Sequence, residues 1–211
     1  SMVRASNVST PLNALEDWNG APITYFEDAP ARQLLEGFDV AIVVAGYTYR
    51  DEGEYIPTLE KESSGTDLAR GGDRISLRLP IDQEKLIGAV SSRANKTVVL
   101  LETGSSVNVY PWIDSIEALL VIWYPGCEGG KAIARTLYGE VSPSGRLPAL
   151  FPKSDDQLGE WDINAKEVKH GLFHGYRYLD HNHEKALFPF GFGLSYTEFK
   201  IKSVIITLEI I

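Results

Sequence analysis

The chain is poor in sulfur, in positive charge and in long apolar runs. Its single cysteine, Cys127, cannot form an internal disulfide, so cysteine usage leaves the redox compartment and the localisation open. Lys and Arg number 20 against 29 Asp and Glu, a formal net charge of −9 that argues against nucleic acid and against an anionic membrane surface as partners. No apolar run approaches the roughly 20 residues needed to span a bilayer. No signal peptide is legible, and Ser1-Met2 reads as a remnant of expression, so the native start is expected to lie elsewhere. Internal repeats and low-complexity tracts are missing too.

Several catalytic and cofactor signatures fail in the same way. No Gly-x-Ser-x-Gly elbow exists, which removes the usual serine hydrolase reading. Gly191-Phe192-Gly193 lacks the third glycine of a dinucleotide fingerprint. Gly129-Gly130-Lys131 resembles the end of a phosphate-binding loop, but Pro125 stands at its first glycine, Ala132 replaces the magnesium-binding hydroxyl, and Glu128 would repel a phosphate. No cofactor is therefore expected. The four histidines (170, 174, 181 and 183) all come late. His181-Asn182-His183 has no cysteine or acidic ligand set around it, and a solvated turn is the preferred reading over a metal site.

What is present is ordinary globular material, 44% hydrophobic and 23% charged over 211 residues, enough for one large domain or two small ones. Residues 118–152 organise it. Ala118–Tyr124 is a continuous apolar run that predicts a strand buried on both faces, as in a parallel sheet. The Pro125–Gly130 loop follows, then a helix over Lys131–Tyr138 closed by Gly139. Strand, glycine-rich turn and helix form the unit of an open α/β sheet, whose ligands meet the loops at the carboxyl ends of the strands.

Elsewhere the pattern predicts helices at Leu12–Trp18, at Ala31–Glu36 and from Pro80 to before Asn95. A central strand is expected at Val40–Gly46 and another at Thr97–Leu101, with shorter extended pieces at Ile23–Phe26, Val107–Trp112 and Gly171–Tyr178. Leu187–Tyr196 is aromatic and glycine-rich and follows neither period; together with the rim loops it is expected to offer an exposed apolar patch. Val204–Ile211 is apolar and β-branched and ends as if cut from a longer chain.

Between Tyr47 and Arg74 the sequence is long, polar and aperiodic, which in a domain points to function or mobility. Asp51, Glu52 and Glu54 crowd within four positions just past the Val40–Ala45 strand, and crowded carboxylates raise one another's pKa. A carboxylic acid still protonated near neutral pH is what acid-catalysed departure of a sugar oxygen requires. Gly53 and Tyr55 flank Glu54 with a hinge and a ring suited to stacking on sugar; the alternative is a solvated acidic turn. Asp73-Arg74 forms either a structural ion pair or a second polar anchor.

These residues, in AGYTYRDEGEYIP, GGDRISLRLPIDQEKLI, TVVLLETGSSVNVYPW, the 118–152 stretch, GLFHGYRYLD and LFPFGFGLSYTEF, together resemble the second, α/β-sandwich domain of family 3 glycoside hydrolases, in that family's order from about residue 40 to 199. The resemblance implies a three-layer sandwich with a mainly parallel six-stranded sheet flanked by helices, spanning residues 1–199, with 200–211 leading into a fibronectin-like domain. It implies a retaining exo-β-glycosidase acting on oligo- or aryl β-glycosides, whose nucleophilic aspartate sits on an N-terminal barrel domain. Ser154-Asp155-Asp156 is the nearest string to that nucleophile's motif, but it lies in a polar linker. The family's acid/base is a glutamate on the loop matching RDEGEYIP, which fits Glu54 first and Glu52 second, with Tyr55, Asp73 and Arg74 as substrate-binding candidates. A homodimer is a further possibility. The competing readings are a non-catalytic carbohydrate-binding or assembly domain and, weakened by the missing motifs, an independent α/β hydrolase or nucleotide-binding enzyme.

Overall fold

The computed structural model describes residues 7–18, 22–28, 35, 37–48, 51, 74–159, 165–169 and 171–207. Among these the fold is α/β, with three parallel strands in the order β1 (Ala41–Gly46), β2 (Thr97–Glu102) and β3 (Ala118–Val121). Ala41 pairs with Thr97 and Gly46 with Glu102, while Val98 pairs with Ala118 and Leu101 with Val121. β2 lies between the other two, and Val99, Leu100 and Leu101 are wholly buried, as its unbroken β-branched and leucine run predicts.

β1 differs from its expectation. Among the described residues it flanks the sheet rather than centring it, and its faces are unequal. Val43 and Ala45 are buried, whereas Ile42 and Val44 are 39% and 51% exposed. An unbroken apolar run carries no alternation, so the sequence could not show which face is covered. The 118–124 stretch is likewise shorter and more open than predicted: β3 stops at Val121, none of its residues is fully buried, and Trp123 takes a positive φ of 52° that ends the extended run.

Helix α2 (Ile81–Ser91) follows Pro80 as expected and turns Ile87 and Val90 into the core. That core joins Val43, Ala45, Tyr47, Leu79, Val99, Leu101, Val107, Val109, Trp112 and Phe151. Val107–Trp112 contributes buried valines without forming a strand.

Helix α3 (Gly129–Leu137) begins two residues earlier than predicted. Its opening glycines are packing residues. A Cβ on Gly130 would lie 2.2 Å from the Thr10 carbonyl oxygen, and its N–H donates to the Ser9 carbonyl at 2.9 Å. Gly130 thus admits the 9–10 backbone, Gly129 faces the Pro125 ring, and Gly126 takes a positive φ of 72°, which accounts for all three without a phosphate. Helix α1 (Pro11–Glu16) starts there, with Thr10 Oγ1 accepting from Asn13 N at 3.2 Å, and it ends two residues before Trp18. It packs Ala14 and Leu15 on Ala134, and the Trp18 and Tyr138 rings stack at 5.6 Å.

Two extended pieces are not strands. Ile23–Phe26 has no ladder among the described residues. Gly171–Tyr178 instead leads into helix α4 (Tyr176–His181), capped by Gly175 at φ 58°. The helix is six residues long and buries only Leu179, too short a stripe to display a helical period. His181 closes it and His183, at φ 57°, turns the chain, so the paired histidines lie on an exposed turn. Ala31–Glu36 falls almost wholly outside the described residues. Leu187–Tyr196 is held by a bridge from Phe188 to Phe151, and Phe190, Leu194 and Tyr196 remain exposed.

Candidate active-site rim

The carboxyl ends of β1 and β2 meet at Gly46 and Glu102. A Cβ on Gly46 would lie 1.9 Å from the Glu102 carbonyl oxygen, so the two strands can close only over a glycine. Gln83 on α2 clasps the same residue from the side. Its Oε1 accepts from Gly46 N at 2.7 Å and its Nε2 donates to Gly46 O at 2.8 Å.

Beyond Gly46, the Tyr47 N–H donates to Glu102 O at 2.9 Å. Its ring is buried, and its hydroxyl donates to the Arg78 carbonyl at 2.7 Å. Tyr47 therefore belongs to the core and is not an open platform for a sugar. Asp51, one of the three crowded acids, is 2% exposed, and its Oδ2 accepts from Thr48 N at 2.7 Å and Thr48 Oγ1 at 2.8 Å. It caps a local turn, and its carboxylate faces inward. The Thr-x-x-Asp spacing is the local signal for such a turn, and it sets Asp51 apart from Glu52 and Glu54 in sequence.

Glu52, Glu54, Tyr55 and Asp73 lie outside the described residues. Arg74 is described. Its guanidinium sits over the Tyr47 ring, 3.9 Å from the centroid, and Nη2 donates to Ser105 Oγ. Next along the chain, Ser76 Oγ and Leu77 N donate to Asp155 Oδ2 at 2.7 and 3.1 Å. Asp155, read from sequence only as part of a weak nucleophile string, is thus a tether for the returning chain. No local sequence pattern announces Gln83, Ser105 or Asp155 in this role, because their partners are 37, 31 and 79 residues away. Arg74, Ser76 and Asp155 also line an open cavity of about 490 Å³ with His174, Lys169 and Tyr178.

Burial pushes the Glu102 carboxyl above the ordinary carboxylate range. A carboxyl that holds its proton more tightly in the folded chain contributes stability fully below its unfolded value, and loses it as pH rises through the folded value. Glu102→Gln should therefore raise the melting temperature at neutral pH and leave it unchanged below about pH 4. Thermal melts across that range check the sign; a variant less stable at pH 7 contradicts it.

Residues 2–196 match the C-terminal domain of glycosyl hydrolase family 3. The chain belongs to that family. Among relatives of this family 3 domain, a Rhizobium radiobacter β-glucosidase is 37% identical over 180 residues, covering 81% of the chain and 20% of that protein. A xylan 1,4-β-xylosidase of Xylanibacter ruminicola is 34% identical over 167 residues, covering 79% and 18%. Of solved structures, the β-D-glucoside glucohydrolase of Trichoderma reesei superposes with a TM-score of 0.79 at 25% identity, over 92% of this chain and 27% of that one. The family 3 domain thus spans about a fifth of the length of the curated relatives it matches.

Proposed function

We propose that the chain is the C-terminal domain of a retaining exo-β-glycosidase that hydrolyses terminal β-linked sugars and supplies the general acid/base to a barrel domain carrying the nucleophile. The observation that carries this reading is the anchoring of both ends of the acidic segment at the carboxyl rim of β1 and β2 in a family whose relatives are named β-glucosidases and a β-xylosidase. Glu54 is the acid/base and Glu52 the second choice. Tyr55, Asp73 and Arg74 are the substrate-binding residues of this reading. The three described strands form part of a six-stranded sandwich over residues 1–199, and 200–211 lead toward a fibronectin-like domain. Exposed Phe199, Ile201 and Val204–Ile206 suit such a continuation.

Retaining hydrolysis needs two carboxyl groups about 5–5.5 Å apart across the scissile bond, and this reading places only one in the chain. The 211-residue protein alone should therefore show no turnover of aryl β-glycosides above the rate without protein. Turnover by pure protein that disappears on changing one of its own carboxylates would overturn the division of labour between two domains.

A further inference from the structure

We infer that the outer edge of β1 pairs with the same edge of a second copy of this chain, antiparallel and about a two-fold axis at Val43. Successive residues of a strand direct their backbone groups to opposite sides. Ala41 N donates to Lys96 O at 2.8 Å and Tyr47 N to Glu102 O at 2.9 Å, so the odd-numbered positions of β1 face β2. Ile42, Val44 and Gly46 face away, where the sheet has no further strand among the described residues. Gln83 already takes both backbone groups of Gly46. Ile42 and Val44 are left, and their side chains are open too, 39% and 51% exposed beside a Val40 that is 45% exposed. Backbone and side chains of the same two residues are thus uncovered together.

Exposed edges of natural sheets are blunted by lysine, proline, a bulge or an inward charge. Residues 40–46, Val-Ala-Ile-Val-Val-Ala-Gly, have no such residue, and the register with β2 runs without a bulge. The edge therefore selects a covering strand, and β1 itself fits it. About a two-fold at Val43, Ile42 stands opposite Val44 of the second copy, and Val44 opposite its Ile42. Both are hydrogen-bonded pairs, in which each residue exchanges N–H and C=O with the other, so every free backbone group at 42 and 44 is used. The side chains of these residues meet on one face as apolar cross-strand pairs. Gln83 of each copy occupies Gly46 and stops the ladder at both ends, a limit that a longer foreign strand would overrun. Charge selects the orientation. In a parallel pair the two exposed Asp39 side chains would stand together and repel. In the antiparallel pair each lies opposite Tyr47, roughly 27 Å from the other at about 3.4 Å per residue, beyond the screening length of about 8 Å. The interface is isologous, so assembly stops at two chains.

The test follows the 211-residue chain by sedimentation equilibrium and hydrogen–deuterium exchange across a dilution series. Its mass should rise with concentration toward twice that of one chain. The Ile42 and Val44 amides, fast when dilute, should become protected in step, while Val43 and Ala45 stay protected throughout. Ile42→Lys, at an exposed side chain, should keep the wild-type circular dichroism and lose the dimer. Leu194→Lys, on the other exposed apolar patch, should keep the dimer. Register is read by disulfide trapping in a Cys127→Ser background, which removes the exposed native thiol. Ile42→Cys mixed with Val44→Cys should cross-link on oxidation, and neither should cross-link to itself, because like positions lie about 7–8 Å apart. A chain that is monomeric at every concentration overturns the inference, as does a dimer that Leu194→Lys dissolves and Ile42→Lys does not. Cross-linking of like positions would mean parallel pairing and refute the two-fold. Protection of Ile42 and Val44 that ignores concentration would mean that another strand of the same chain fills the edge, and the second copy is then excluded.

Discussion

Glu54→Gln in the complete enzyme should slow cleavage of β-glycosides with poor leaving groups by about 10²–10⁴-fold, the usual contribution of general acid–base catalysis. Activated aryl glycosides should lose much less at the glycosylation step, because a phenolate that bears its own negative charge needs no proton. Azide should restore turnover of those substrates, since a small anion attacks the covalent intermediate without a general base. Glu52→Gln is the control and should show neither effect. If Glu52 behaves this way and Glu54 does not, the mechanism stands with the assignment moved by two residues. If neither does, the acidic segment grips sugar or a partner chain, and the non-catalytic reading replaces the catalytic one.

Phe151→Ala should cost about 3–5 kcal/mol of folding free energy, in the range measured for buried phenylalanines. Among the described residues Phe151 is the largest wholly buried side chain, and it joins two parts of the fold. It belongs to the main core cluster that includes Val99 and Leu101, meets the Phe188 ring edge-on at 6.5 Å, and exchanges backbone hydrogen bonds with Phe188 at 2.8 and 3.1 Å. Truncation leaves a cavity where the glycine-rich 187–196 segment closes on the sheet domain. For a chain of this size the loss corresponds to a fall in melting temperature of roughly 6–20 °C. Phe190→Ala, at a ring that is 54% exposed, should cost no more than about 1 kcal/mol. A denaturant titration giving equal losses for the two would show that burial at Phe151 is not what holds the segment.

The parts of this structure legible in sequence are those whose signals are local. Thr97–Glu102 announces a buried strand through its composition alone, and Pro80 with the apolar stripe of Leu86, Ile87 and Val90 announces α2. The failures share a cause. Whether Ile42 and Val44 are covered depends on which elements lie over β1, and whether Gly130 is a ligand loop or a packing site depends on Ser9 and Thr10, some 120 residues away. Asp51 looked like a third acid because counting charges ignores where a side chain points. At the rim, the strand β1 was legible from residue order, whereas the contacts that brace its exit were not. Gln83, Ser105 and Asp155 are common polar residues that gain meaning only from what the fold sets beside them.

Among the described residues, α1 rests on a satellite cluster. Ala14 and Leu15 pack on Ala134 of α3, with Trp18, Ile23 and Leu137 around them, apart from the core built on β2. The Trp18–Tyr138 stack and the Ser9 hydrogen bonds to Cys127 and Gly130 complete the attachment. A small, separate cluster opens at a lower free energy than the global core. The chain therefore carries a first step of unfolding at its amino-terminal side, in which α1 lifts from α3 while the sheet around β2 stays intact. Handling, tagging or trimming near residue 10 would be felt first as exposure of Trp18 and the Gly129–Gly130 turn, and only later as damage to the rim.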